Sequence, residues 1–365
     1  MENKIIMLFL KIELKKKLLK KIIFRIYIRM SPAKTFTLTE FPNENLIKNI
    51  WTHPSIWSEQ RDEVRNYCNL YDNSGIDINY IKYNDYGRFF VEDHKVRSST
   101  IMWSPIRSAL FQNTEYDIDI INCHSNLLLD ILKTNEIYDI ECLEYYCKNR
   151  DEVIDLFNIT EDAIESYNVK NKEKKDKKDI VKALVTQLLY GGSIESWKKE
   201  YNITLEMPEF IINFQNEIKN NTRILLENDK RFKDIIKYEY KRRRDKCPNG
   251  VPKNKEFEVK DSKYLAIILQ EYESLIIMKI FEIVKNNGFI ITSYNYDGFQ
   301  ILKREGVEDL IELINNTELS LSHSNKNFIN FENIKFIVKP FKDPIDVSKL
   351  ICLDTDEFNR DVFLP

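Results

Sequence analysis

Glycine is scarce in this chain: eight in 365 residues, beside ten prolines. Ordinary proteins carry roughly 7% Gly and 5% Pro. So few turn-formers predict long helices and few hairpins. The glycines stand at 75, 87, 191, 192, 250, 288, 298 and 306. No arrangement of them spells G-x-G-x-x-G, G-x-x-x-x-G-K-[ST] or G-x-S-x-G. A dinucleotide fingerprint, a Walker-type phosphate loop and a nucleophile elbow are thereby excluded. Histidine is scarcer still. His53, His94, His124 and His323 are far apart, which excludes an H-E-x-x-H zinc helix. The six cysteines, at 68, 123, 142, 147, 247 and 352, form no C-x-x-C pair. Cys142 and Cys147 would need remote ligands to build a zinc site, and scattered thiols in a reducing compartment is the preferred reading. Metal chemistry, if any, falls to carboxylates, which favours Mg²⁺. Long apolar runs are missing too. The stretch from Ile5 to Leu10 is far too short to span a membrane, and no signal-peptide cleavage pattern follows it. No membrane partner and a cytoplasmic location are expected.

What is present describes a folded protein. Apolar residues make up 43% and aromatics 12%, enough for a real core. At roughly 150 residues per domain the length allows two domains, or one large one with insertions. Fifty-five basic residues against 58 acidic give a net charge of −3, so bulk charge announces no nucleic-acid partner. Its distribution is less neutral. Residues 11–29 are strongly basic with apolar residues between, residues 172–178 read KEKKDKK, and residues 237–246 read KYEYKRRRDK. Such patches are what a backbone-gripping protein shows. Each alone is also what a solvated face looks like. Residues 1–30 read either as a basic amphipathic arm or as an extension ahead of a start at Met30.

Residues 31–77 are mixed. Residues 78–91 look extended, broken at Tyr86-Gly87-Arg88. Ser104-Pro105 opens a helix to about 112. In residues 116–121 the alternation Asp117, Ile118, Asp119, Ile120 predicts a strand with both aspartates on one face. A helix follows over 125–133, short helices over 136–170, and one helix over 174–190 that stops at Gly191-Gly192. Residues 208–246 read as mostly helical, and 247–255 as a loop. The 262–286 segment is apolar on nearly every side, the mark of a helix central to a domain. Two strands, 289–296 and 299–302, flank a tight turn at Tyr296-Asp297-Gly298. A helix over 307–314 and a strand over 334–338 precede an irregular tail.

The chemistry-bearing residues recur at these junctions. Asp119, with Asp117 beside it, sits at a strand end, and Asp297 at a strand turn far along the chain. Carboxylates at two strand ends can converge on a pair of divalent ions, which clamp the attacking and leaving oxygens of a phosphoryl displacement. On the helix between them, Lys178, Lys182, Thr186 and Tyr190 recur every four residues. Steps of four drift only about 40° round a helix, so the four share one broad face about 18 Å long. That is the scale of a nucleoside triphosphate, phosphates toward the lysines and sugar toward the tyrosine. A solvated outer face explains Lys178 equally well. It explains Lys182, against Ala183, Leu184 and Val185, poorly.

Lys182, seven residues, then Tyr190-Gly191 resembles motif B of family A DNA polymerases and phage-type single-subunit RNA polymerases. Asp119 before Asn122-Cys123-His124 resembles motif A, and Tyr296-Asp297 resembles motif C. Upstream, Gly87-Arg88 and Ile106-Arg107-Ser108-Ala109-Leu110 resemble the segment leading into motif A. The closer resemblance is to the transposon–virus polymerase family of giant viruses, virophages and related mobile elements. Its segments stand here as Gly87-Arg88, Arg107 to Leu110, Asp117-Ile118-Asp119 to Ser125, Tyr190-Gly191-Gly192, Leu269-Gln270 to Glu273, and Tyr296 to Phe299. They cover about residues 80–303, in order. Ser125 departs from the family's proline, and Thr186 from the base-stacking aromatic of family A enzymes.

The resemblance implies a helix-rich α+β right-hand polymerase with an antiparallel-sheet palm and helical fingers. Residues 1–35 would be a basic arm and 36–79 a thumb-like or N-terminal segment. The palm would take 80–135 and 263–365, the latter with the tail, and the fingers 136–262. It implies template-directed DNA synthesis in replication, with Asp119 and Asp297 holding two Mg²⁺, or Mn²⁺. Lys178 and Lys182 would neutralise triphosphate charge, and Lys182 would protonate the leaving pyrophosphate. Thr186 and Tyr190 would line the nucleotide site, and His124 would lie against the sugar 2′ position. Arg88, Arg107 and Gln270 would contact nucleic acid, as would the basic cluster Arg242, Arg243 and Arg244. Arg88 and Arg107 read equally as ion pairs, Gln270 and His124 equally as structural polar groups. The expected partners are a DNA template-primer, dNTPs and a separate helicase, with the protein a monomer in the cytoplasm or a viral factory. No proofreading exonuclease fits before residue 80. Primase-type RNA synthesis and a non-catalytic nucleic-acid-binding replication factor are the alternatives on the same fold.

Overall fold

The computed structural model describes residues 35–92, 98–171, 175–228, 235–238, 241, 261–324 and 327–350. Within them the protein is a helix-rich α+β structure with antiparallel sheets. The basic arm, His94, Cys247, Cys352, the 247–255 segment and Arg242, Arg243 and Arg244 lie outside the described residues.

The strands are β1 (Thr35–Glu40), β2 (Ile76–Ile81), β3 (Phe90–Val91), β4 (Glu115–Ile120), β5 (Ile291–Tyr294), β6 (Gly298–Leu302), β7 (Leu319–Ser324), β8 (Asn327–Phe331) and β9 (Phe336–Lys339). The helices are α1 (Ser58–Cys68), α2 (Ser104–Phe111), α3 (Cys123–Thr134), α4 (Glu141–Lys148), α5 (Arg150–Asp155) and α6 (Glu161–Asn171). They continue with α7 (Lys177–Leu189), α8 (Ile194–Tyr201), α9 (Glu209–Asn228), α10 (Asp261–Asn286) and α11 (Val307–Asn315). Among the described residues three sheets form: β1-β2-β3, β5-β6-β4-β9 and the hairpin β7-β8.

The four-stranded sheet follows from the alternation in β4. Ile118 and Ile120 are buried, while Asp117 and Asp119 share the other face. β4 lies between β6 and β9, with Asp119 opposite Gly298 on one side and Ile337 on the other. Beneath it α10 behaves as its all-round apolar pattern predicts. Leu265, Ile268, Leu269, Tyr272, Ile276, Ile277, Ile280 and Val284 are fully buried, and α3 and α9 pack against the helix. The polar residues in its middle are tethers. Glu271 accepts from the Lys82 ammonium at 2.6 Å and from the Gly87 amide at 2.7 Å, and Ser274 donates to the Gly87 carbonyl at 3.0 Å. Gly87 has φ +101°, a conformation that L side chains rarely adopt, so the loop bends back onto α10 there.

Two strand elements had no counterpart among the expected ones. The segment read as mixed opens with β1, and Ser/Asn-rich residues 319–331, to which no element was assigned, form a hairpin. Both alternate, but their outward positions are Thr, Ser and Asn, residues typical of loops. Only the burial of Leu38, Leu319, Leu321, Ile329 and Phe331 marks them as strands.

Glu40, at the end of β1, is wholly buried. Its carboxyl accepts from the Ser99 amide at 3.0 Å, the Ser99 hydroxyl at 2.6 Å and the Tyr67 hydroxyl at 2.5 Å. Burial nevertheless pushes it up to about 7. A raised carboxyl stabilises the folded state only while protonated, so that contribution is lost as pH rises from about 4.5 through about 7. Urea unfolding at pH 5 and pH 8 is expected to show Glu40→Gln gaining about 2.5 kcal/mol on the wild type over that interval. Buried Glu115, shifted in the same direction mainly by burial, leaves the variant a residual slope of the same sign.

Candidate active site

One cleft of about 560 Å³ is lined by Asp119 to Ser125, by Arg88, Arg150 and Asp297, by the face of α7, and by Ile337, Lys339 and Lys342. Sheet, α3 and α7 each deliver part of it for a local reason. β4 ends beside the β5–β6 turn, where Tyr296 takes a left-handed φ of 62° and the Ile120 amide donates to the Asp297 carbonyl at 3.0 Å. Gly298 has to be glycine. A Cβ there would lie 2.4 Å from the Ile118 carbonyl and 3.2 Å from an Asp119 carboxylate oxygen. This close approach sets Asp119 and the Asp297-Gly298 turn side by side across the strand pair. Asn122, at φ 47°, reverses the chain into α3 and puts His124 in that helix's first turn.

Asp119 accepts from the Lys339 ammonium at 3.0 Å. Burial, then the neighbouring Asp119 and Glu273 carboxylates, push the Asp297 carboxyl up to about 7. Two hard oxygen donors, one of them buried and crowded by negative charge, suit a Mg²⁺-type ion, which takes carboxylate oxygens and supplies the missing positive charge. Asp117, two residues back, is mostly buried, does not line the cleft and is raised chiefly by burial.

Along α7, Lys178, Lys182, Thr186 and Tyr190 all line the cleft. Lys178 pairs with Asp151 at 2.9 Å. Lys182 has no ion-pair partner among the described residues. Its pKa is lowered by partial burial and then by Arg150, Lys178 and Lys339. A lysine crowded by cations at a cleft wall is set for a polyanion.

The residue that organises the floor had no role assigned from the sequence. Glu273, from the middle of α10, is completely buried and takes both Arg88 Nε and Nη2 at 2.6 Å and His124 Nε2 at 2.7 Å. A carboxylate only accepts, so Nε2–H donates to it, while Nδ1 pairs with the Tyr190 hydroxyl. Burial alone would raise Glu273, but the hydrogen bonds from His124 and Arg88 outweigh it and hold the carboxyl below its ordinary value. Arg88 Cζ also lies 4.8 Å above the Tyr296 ring. Its place at the end of the Leu269-Gln270 to Glu273 segment was the available signal.

Cys123, His124 and Glu273 bring three donor atoms within 4.8 Å of one another. The Arg88 guanidinium already neutralises Glu273, so this set does not fit a cation. Arg107 does not line the cleft; it donates to the Ser99 carbonyl at 3.5 Å. Gln270 is half-buried on α10, with its side-chain oxygen 3.9 Å from where a Cβ on Gly87 would lie. It too lies outside the cleft wall.

No family model matches the sequence, and no curated protein matches it. Solved structures do. Among them is the POL domain of Pol1 from M. smegmatis, in complex with DNA primer-template and dNTP, at 11% identity and a TM-score of 0.41. That match covers 78% of this chain and 51% of the other, so the chain spans about half the length of that structure. No helix among the described residues is long and apolar enough to cross a membrane.

Proposed function

We propose that this chain is a template-directed nucleotidyltransferase, a right-hand DNA polymerase of a virus or mobile element that works in DNA replication with two divalent ions. The observation that carries the proposal is one cleft with two adjacent carboxylates from distant segments, Asp119 and Asp297, and a helix face of Lys178, Lys182, Thr186 and Tyr190. In this reading 80–135 and 263–365 form the palm and 136–262 the fingers, with 36–79 an N-terminal or thumb-like segment and 1–35 a basic arm.

Asp119 and Asp297 would hold Mg²⁺, or Mn²⁺, which when bound activates the attacking hydroxyl and offsets charge on the phosphates. Lys178 and Lys182 bind the triphosphate and stabilise charge that develops during transfer. The lowered pKa of Lys182 suits it to hand its proton from Nζ to the leaving pyrophosphate. Tyr190 and His124 face the sugar, tied to each other and to Glu273. Arg88 contacts the strand at the cleft floor. Arg107 and Gln270, which lie outside the cleft wall, and the cluster Arg242, Arg243 and Arg244 enter the proposal as contacts to nucleic acid. A helicase acting separately, and a monomeric working form, complete it.

Extension of a labelled primer on a DNA template, with dNTPs and with NTPs and with and without the primer, tests this. Primer-dependent dNTP incorporation is expected. No incorporation from either nucleotide set overturns the enzyme reading, and unprimed RNA synthesis replaces it with a primase. His124→Gly removes the side chain proposed to fill space a 2′-hydroxyl needs. It is expected to raise NTP use relative to dNTP use by about 10–200-fold, the range of steric pocket discrimination, measured with competing substrates in single-nucleotide extension.

A further inference from the structure

The β9 side of the cleft sets a cation on one of the two proposed metal ligands. Lys339, the final residue of β9, donates to Asp119 Oδ2 at 3.0 Å. The sheet explains how it reaches. Lys339 is in register with Asp117, and Ile337 with Asp119. Residues opposite each other in a sheet share a face, so Lys339 stands on the acidic face as the diagonal neighbour of Asp119. Asp117 and Asp297 add to the attraction on its ammonium.

The two oxygens of Asp119 are thereby turned to different neighbours. Oδ1 lies on the β6 side, 3.2 Å from where a Cβ on Gly298 would be, and Oδ2 lies on the β9 side against the ammonium. A divalent ion shared by Asp119 and Asp297 needs the negative charge that Lys339 already offsets. Ion and ammonium are both cations, so within reach of one carboxylate they repel, and each weakens the other's hold. The pair is open enough to exchange. The Lys339 side chain is 44% exposed and that of Asp119 24%, and ion pairs that water reaches are weak. The Arg88–Glu273 pair, whose carboxylate is wholly buried, has no such freedom.

We propose that Lys339 is a built-in competitor for the divalent ion. Its ammonium holds Asp119 until an ion displaces it, which lowers the affinity of the free protein for that ion. The proposal rests on the reading of Asp119 and Asp297 as the metal ligands. Lys342, three residues on, also lines the cleft but forms no ion pair among the described residues. It carries the same charge without the contact.

Mn²⁺ binding to the full chain tests this, read from the loss of the free-ion electron paramagnetic resonance signal, with no nucleotide or nucleic acid present. Lys339→Met keeps much of the side chain and removes its charge. It is expected to bind Mn²⁺ at least about fivefold tighter than the wild type, the low end of coupling between two ligands. Lys339→Arg keeps the charge and should bind like the wild type. Lys342→Met should gain far less than Lys339→Met. Combining Lys339→Met with Asp119→Asn should abolish the gain, because the coupling runs through that carboxylate. The tighter site should also give a larger rise in unfolding temperature on adding Mn²⁺. A smaller gain, an equal gain from Lys342→Met, or a gain that survives Asp119→Asn would each overturn the competitor. Thermal unfolding in chelator checks the fold, and Lys339→Gln replaces Lys339→Met if that variant unfolds. If Asp119→Asn and Asp297→Asn leave Mn²⁺ binding unchanged, the metal-site reading falls and the competitor with it. If those variants lose the ion and Lys339→Met gains nothing, only the competitor falls.

Discussion

Asp119→Asn and Asp297→Asn are each expected to cut nucleotide incorporation by at least about 10²–10³-fold, the scale of losing one preorganised charge-stabilising group. Each swap keeps the side chain's size and removes one negative charge from a two-carboxylate site. An amide oxygen is a much weaker ligand for a divalent ion than a carboxylate. Folding is expected to survive, because the change relieves crowding between carboxylates and opens no cavity. The pair is adjacent through the Asp119–Gly298 register and the hydrogen bond from the Ile120 amide to the Asp297 carbonyl, so the two variants should fail alike. Single-turnover extension in Mg²⁺ and in Mn²⁺, beside thermal unfolding, separates lost chemistry from lost structure. Near wild-type incorporation by either variant would move the metal-binding role to another carboxylate, Asp117 first.

Glu273→Ala carries the largest expected cost in stability. The carboxylate has no exposed side-chain surface and holds Arg88 and His124. Removing one partner of such a pair leaves the other charge buried without compensation, which costs about 3–5 kcal/mol. The loss should appear as a lower denaturant midpoint with an unchanged slope. The pH dependence distinguishes this site from Glu40. The Glu273 carboxyl lies below its ordinary value, so its contribution is present above about pH 4.5 and is lost as pH falls toward the folded-state value. The wild type should therefore lose its advantage over Glu273→Ala in acid. Glu273→Gln keeps the volume and one hydrogen bond and is expected to cost less. With Arg88 and His124 held less firmly, it should also raise KM for the nucleotide more than it lowers kcat. A stability loss under about 1 kcal/mol for Glu273→Ala would show that Glu273 is not the anchor of the floor.

The amino-acid sequence by itself determined the local pieces. The 2-residue period of a strand puts Asp117 and Asp119 on one face, and a helical step of four lines up Lys178, Lys182, Thr186 and Tyr190. The Tyr-Asp-Gly turn and the all-round apolar helix are likewise set by neighbours a few residues away. Several contacts between remote segments were decided only by the tertiary structure. Lys339 meets Asp119 across 220 residues, and Glu273 gathers Arg88, His124 and, through it, Tyr190. Arg107, whose motif resembled a substrate-facing segment, turns away from the cleft to the Ser99 carbonyl. The hairpin β7–β8, to which the sequence pattern assigned no element, forms where its four apolar residues meet the core. Periodicity states which residues share a face. Which faces meet depends on how the sheet, α3, α7 and α10 pack, and that packing turns a charge inside an apolar helix into the anchor of the cleft floor.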